Sequence, residues 1–300
     1  MSTHAIILWA IPWFLASMLI EALIYRRSDR AKTRGRGYLG KDTACSLAMG
    51  LGNVGLEILF KIWAVGVLVW AYEHRVAELP RALWVWPLLI LAEDHCYYWF
   101  HRIHHETRFF WAAHVNHHSS ERYNLSTALR QSWTTPLTGP LFWTPLAFLG
   151  FHPEMIVAAK VVSLLYQYWI HTELIGRLGP LEQILNTPSH HRVHHGRNPQ
   201  YLDKNYGGIF ILFDRLYGTF EPEVEAVEYG LTKNLASYNP FVVAFHEWRD
   251  MFRDARRARG LRAKLAMLFR SPAWLAAHAA SSRGGSPSVE PSGAATAVRS

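Results

Sequence analysis

Histidine is the residue type whose number and spacing could do chemistry in this chain. The sequence of 300 residues contains 17 of them, and eight stand out for their spacing within three short runs. HRIHH separates His101 and His105 by four positions. HVNHH sets His114 three and four residues ahead of His117 and His118, and HRVHH repeats that spacing with His191, His194 and His195. On a helix, positions i, i+3 and i+4 share a face, so each run can aim two or three imidazoles at one point. Eight such rings supply two metal ions with about four ligands each. His171, which closes YQYWIHTE, is a candidate ninth ligand.

The other histidines carry less. His95, His104 and His190 lie beside the runs but on other helix faces, and a supporting role is expected of them. His4, His74, His152, His246 and His278 lie at termini, in turns or in the tail, where no chemistry is expected. Ligating imidazoles usually donate their second ring N–H to a carboxylate or carbonyl. Asp94, Glu106, Glu121, Glu173, Asp203 and Asp214 are near enough in sequence to serve.

Imidazole suits zinc, iron, copper and nickel alike. A zinc hydrolase is the natural competitor, since zinc would activate water at the same kind of site. The HExxH pattern is missing, however, because HETRF from His105 lacks the second histidine. Cys45 and Cys96 form no CxxC pair, so they are expected to be packing residues. Structural zinc needs only four ligands. Two ions with many neutral ligands beside a bilayer favour a redox metal that activates O2, and iron is the choice.

The elements that position these rings are expected to be membrane helices. Half the residues are hydrophobic, 13 are Trp and 18% are charged, against roughly 25% in soluble domains. The formal charge of +8 comes from basic residues beside apolar runs, which points to lipid head groups rather than nucleic acid. Ala5–Tyr25 is an uncleaved apolar run of 21 residues, and about 20 helical residues cross a bilayer core. Arg26, Arg27, Arg30, Lys32, Arg34, Arg36 and Lys41 follow it, so that loop is expected on the cytoplasmic side and the amino terminus outside.

A second span is expected over 51–71, with Glu57 and Lys61 on one helix face, and EHRVAELPR turns outside. LWVWPLLILAEDHCYYWFHR then returns to the cytoplasmic boundary at His101. Residues 137–170 read as a tight hairpin about His152–Glu154, returning at His171, and 248–270 as a basic amphipathic helix on an anionic membrane surface. Asn124 heads an NLS acceptor pattern on the wrong side for glycosylation. No internal repeat is present.

The succession HRIHH, HVNHH, HRVHH resembles the histidine boxes of the fatty acid hydroxylase and sterol desaturase superfamily of membrane di-iron enzymes. YYWFHR, FWAAHVNHHSSERYNLSTALRQS, LYQYWIHTE, LGPLEQILNTPSHHRVHHGRNPQYLDKNYGG, FDRLYGTFEPE and YGLTKN carry the resemblance, most closely to the ether-lipid-cleaving branch. They cover about residues 93–235.

The resemblance implies an all-α, multi-pass helical membrane protein with a cytoplasm-facing histidine-rich di-metal site. It would be a non-haem di-iron oxygenase, with O2 as co-substrate, that hydroxylates a lipid C–H bond. In that branch the carbon beside an ether oxygen is attacked and tetrahydrobiopterin supplies electrons; an electron-donor protein is the other source. Sterol desaturation or methyl oxidation and acyl-chain hydroxylation are the neighbouring activities. Residues 1–279 are expected to form the membrane-embedded domain, and 280–300 a disordered low-complexity tail.

Overall fold

In the computed structural model, residues 3–27 and 37–281 are described, with side chains for 9–27 and 37–278. His4, the loop residues Arg30, Lys32, Arg34 and Arg36, and the tail from 282 onward lie outside the described side chains or residues. The described chain is all-helical, with two isolated β-bridges (Leu185 with Phe210, Gly196 with Tyr229) and no strand.

The apolar runs form the long helices: α1 (Thr3–Arg27), α2 (Gly40–Leu59), α3 (Lys61–Glu73) and α4 (Val85–Glu106). Short helices follow: α5 (Arg108–Trp111), α6 (Val115–His118), α7 (Thr135–Thr138) and α8 (Thr144–Phe148). The long α9 (Pro153–Trp169) precedes α10 (Pro188–His194) and α11 (Leu212–Tyr217). The basic carboxyl-terminal part forms α12 (Pro240–Arg257), α13 (Leu261–Phe269) and α14 (Pro272–Ser281).

Three expectations change. The expected second span is two helices, bent by 55° at their junction. The break at Phe60 puts Glu57 and Lys61 on different helices, so they do not share one face. Among the described residues no single helix is long and apolar enough to cross a membrane; α2 and α3 together are, by length and composition. The chain turns before Pro153, where a hairpin was expected, but the first arm from 137 is not a continuous helix. Pro136, Pro140 and Pro145 each sit in the first turn of a short segment. Proline cannot donate within a helix and clashes with the preceding turn, so each one restarts the chain. The amphipathic stretch also breaks, at Gly260 (φ 82°), and α12 buries Val243, Ala244 and Met251 against protein.

The principal core joins Leu68 and Ala71 of α3, Val85 and Leu89 of α4, Leu146 and Ala147 of α8, and Ile156 and Ala159 of α9. Fully burying one such Leu or Ile is worth about 1.5–3 kcal/mol, and this packing fixes the end of α4 that carries the first histidine run. Cys45 packs beside Met49, Val243 and Ala244, and Cys96 against the principal core; both are free thiols.

The turn between α8 and α9 depends on Gly150. Its φ is +102°, and a Cβ there would lie 2.3 Å from the Ala77 carbonyl oxygen. Strain of this kind costs about 1–3 kcal/mol before the clash is counted. Gly150→Ala should therefore lower the thermal midpoint of the detergent-purified protein by several degrees; an unchanged midpoint would show that the turn does not hold the α8–α9 hairpin.

Candidate metal centre

The three histidine runs occupy three different local structures. His101 and His105 lie in the last turns of α4. His114 precedes α6, which carries His117 and His118. His191 and His194 lie on α10, and His195 follows as its carboxyl-terminal cap. All eight are buried, as is His171 just beyond α9.

The rings do not converge run by run. One ligand nitrogen from each of His101, His105, His114, His118 and His194 lies within 4.8 Å of the others in a first group. His117, His171, His191 and His195 form a second group under the same limit. Each HxxHH run is thus split: the i and i+4 rings share a group and the i+3 ring goes to the other. A helical step of about 100° places i+3 and i+4 on opposite sides of i, so adjacent histidines diverge. The groups adjoin, with the His118 and His195 rings stacked at 4.4 Å.

Hydrogen bonding settles which nitrogens face inward. A carbonyl can only accept, so an imidazole nitrogen bonded to one must carry the hydrogen. His101 Nδ1 donates to the Tyr206 carbonyl at 2.8 Å, His194 Nδ1 to Lys204 at 2.9 Å, and His171 Nδ1 to Gln167 at 2.7 Å. In a neutral ring the Nε2 atom then bears a bare lone pair. These lone pairs face other ring nitrogens: His101 Nε2 lies 3.0 Å from His114 Nε2, and His171 Nε2 lies 3.0 Å from His191 Nε2. Nε2 of His105, His194 and His195 has no hydrogen-bond partner. Buried acceptors without donors are costly, and a cation at each convergence point would satisfy them. The donor set therefore fits two metal ions.

Burial favours the neutral, ligating form for several of these rings. Loss of solvation, reinforced by neighbouring imidazoles, holds His117, His118, His194 and His195 well below the usual histidine range. Burial pushes His171 down to about 4.

Two buried arginines hold the box elements. Arg130 pairs with Asp42 of α2 and donates to Ser46 at 3.2 Å and Ser119 at 3.1 Å, while its own carbonyl accepts from Asn116 at 3.3 Å. Arg192 grips both Glu223 oxygens, at 2.8 and 2.7 Å, and caps the carbonyls of Thr172 and Ile175.

Of the six carboxylates, Asp203 reaches a box histidine, at 3.6 Å from His105 Nδ1. Asp94 instead accepts from the Ile209 and Phe210 amides, and Asp214 from Tyr206, Gly207 and Thr219. Glu106 binds Arg102, and Glu173 accepts from Tyr25 and Tyr229. Backbone carbonyls, whose positions no residue type announces, do most of the orienting.

His95, bonded to Tyr217, and His104, bonded to the Phe100 carbonyl, lie outside both groups, as does His190 against Phe220. His152 caps α9, His74 and His246 bond to carbonyls of α3 and α12, and the His278 ring stacks on Trp274. Asn124 is fully buried, donating to Gly37 and accepting from Ser126, so it is closed to modification. The rings of Trp111 and Tyr123, which the spacing argument did not single out, line the first and second groups.

A helical scaffold that carries two adjoining polyhistidine groups suggests a metal site, and sequence comparison supplies the family. A family model described as fatty acid hydroxylase matches residues 86–219, and the chain belongs to that family. It is 41% identical over 267 residues to alkylglycerol monooxygenase of Danio rerio, covering 88% of this chain and 59% of that one. The Homo sapiens alkylglycerol monooxygenase is 42% identical over 268 residues, with 88% and 59% covered. The chain thus spans about three fifths of the length of these relatives. Ornithine lipid hydroxylase OlsE of Rhizobium tropici is 30% identical over 242 residues, covering 77% of this chain and 73% of the relative. No solved structure matches.

The neutral-ring account fixes a pH dependence. A ring that is neutral when folded, with a value near 4 as for His171, but near 6.5 when unfolded contributes fully above the unfolded value. That contribution fades as pH falls through the folded one, because the unfolded chain gains protons first. Thermal midpoint and bound metal should be level above about pH 7 and decline together between about 6.5 and 4. Metal retention measured by mass spectrometry across that interval tests this; a flat profile would remove the account.

Proposed function

We propose that this chain is a membrane-embedded lipid oxygenase in which the nine histidines hold two iron ions. The observation that carries the reading is the pair of adjoining groups of buried imidazoles, several with ring nitrogens that meet no donor, in a chain 41% identical to an alkylglycerol monooxygenase. The ligands would be His101, His105, His114, His118 and His194 for one ion, and His117, His171, His191 and His195 for the other. Iron, unlike zinc, changes oxidation state, and so supplies the redox chemistry by which O2 becomes reactive toward a C–H bond.

The side chains prepare the place for that chemistry. Burial of the rings keeps bulk water from the reacting centre, and the carbonyl-bound Nδ1 atoms hold the rings at fixed angles. Trp9, Trp13, Leu51, Ile58, Ile62 and Leu83 are exposed apolar residues on or beside the long helices. Apolar exposure on this scale favours a lipid environment, from which a substrate chain could enter. The basic residues that follow α1 favour the cytoplasmic side for the histidine boxes.

The reaction that best fits the relatives is hydroxylation beside an ether oxygen. One oxygen atom of O2 enters the C–H bond and the other leaves as water. A reduced pteridine such as tetrahydrobiopterin, or an electron-donor protein, supplies two electrons, with two protons taken up. The hemiacetal formed then breaks its C–O bond to give an aldehyde and a free glycerol hydroxyl. The relative named ornithine lipid hydroxylase supports a second reading, in which an acyl or headgroup C–H of a membrane lipid is hydroxylated with O2 and the same two electrons, and no C–O bond of the lipid breaks.

Detergent-purified protein should contain about two irons per chain and should consume O2 with an alkylglycerol and a reduced pteridine, placing ¹⁸O from ¹⁸O2 in the aldehyde when exchange is trapped by reduction. His191→Ala and His194→Ala should each lower turnover by 100-fold or more, on the order of 3 kcal/mol, while His74→Ala should not. Stoichiometric zinc with no iron and no O2 uptake on any lipid would overturn the reading. Oxygen incorporation into an acyl lipid without aldehyde release would select the second.

A further inference from the structure

We propose that the turn Asp203–Tyr206 is a positioning device for the five-histidine group, and that Asn205 and Asp214 hold it in place. The inference rests on the metal-ligating reading of the two groups and adds residues that neither touch the ions nor belong to the histidine runs.

Within four successive residues, three acceptors face three of the five rings. Lys204 O takes His194 Nδ1 at 2.9 Å, Tyr206 O takes His101 Nδ1 at 2.8 Å, and Asp203 Oδ1 lies 3.6 Å from His105 Nδ1. Each contact favours hydrogen on Nδ1 and so presents Nε2 to the centre. Presenting three acceptors on one side needs a tightly coiled backbone. Asp203 and Asn205 both adopt left-handed conformations, with φ of 57° and 56°. This region is unfavourable for most L-residues and tolerated best by Asn and Asp.

The coil is held from outside. The Asn205 amide donates to the His190 carbonyl at 3.1 Å and the Glu221 carbonyl at 2.7 Å, and its Oδ1 accepts from the Glu221 amide at 2.8 Å. Asp214 accepts from the Tyr206 amide at 2.7 Å, the Gly207 amide at 2.8 Å and the Thr219 hydroxyl at 2.7 Å. Both side chains are fully buried. Gly207 cannot be larger, since a Cβ there would meet the Phe210 carbonyl oxygen at 2.3 Å. The turn's ring contacts all fall on the five-histidine group; in the four-histidine group His171 Nδ1 donates instead to the Gln167 carbonyl of α9. The device therefore acts first on one position of the two.

The test is metal binding by the full-length, detergent-solubilised protein, stripped and titrated with Co(II), whose absorption bands report ligand number and geometry. Circular dichroism and gel filtration monitor the fold. Wild type should bind two Co(II). Asp214→Ala should bind one with unchanged affinity and the other 10–100-fold more weakly, as losses of ligand-orienting partners do. Asn205→Gly tolerates the left-handed backbone but lacks the amide, and it should show the same selective loss with the fold intact. Combining either change with His117→Ala should leave no tight site.

Two tight sites with wild-type bands in both variants would overturn the proposal, and so would equal weakening of both sites. Unfolding of both variants would also overturn it, by making the two residues merely structural. Wild type that binds no Co(II), or only one, would instead bring down the underlying two-metal reading.

Discussion

The structure depends on one electrostatic constraint: nine buried imidazoles must bring their nitrogens together in two groups, each within 4.8 Å. A neutral imidazole has one donor and one acceptor. Where a carbonyl outside claims the donor, as for His101, His171 and His194, the inward nitrogen can only accept. Acceptors facing acceptors repel in a low-dielectric interior unless a cation lies between them. The same interior would make a cation's attraction to these nitrogens strong, so metal binding and the stability of this region would be coupled.

The surrounding fold works against that repulsion. The core of α3, α4, α8 and α9 fixes His101 and His105 through the end of α4. Buried arginines secure the remaining box elements: Arg130 ties the second run to α2 through Asp42, and Arg192 ties α10 to Glu223. Arg108, three residues past the first run, binds Glu247 and Asp254 of α12. Buried ion pairs add little net stability compared with apolar packing, but breaking one leaves an uncompensated charge. Arginine suits the role because its planar fork satisfies several acceptors at once and stays charged.

The sequence by itself determined which residues could do chemistry. Eight histidines in runs of fixed spacing can be recognised without coordinates, because helical periodicity brings i, i+3 and i+4 to one face. The long helices were also expected from the length of the apolar runs, and the all-α character from the family resemblance. The apportioning of rings between the two groups was not, since it depends on how three segments far apart in sequence are rotated relative to one another. His171 could only be a candidate from its position; its neighbours His117 and His191 lie 54 and 20 residues away.

The bend at Phe60 and the fragmentation around 136–148 likewise came from packing and proline geometry, not from mean hydropathy. Least legible were the groups that orient the ligands, because backbone carbonyls are common to every residue. Only a folded turn, held by the buried side chains of Asn205 and Asp214, decides which carbonyls face the rings of His101 and His194.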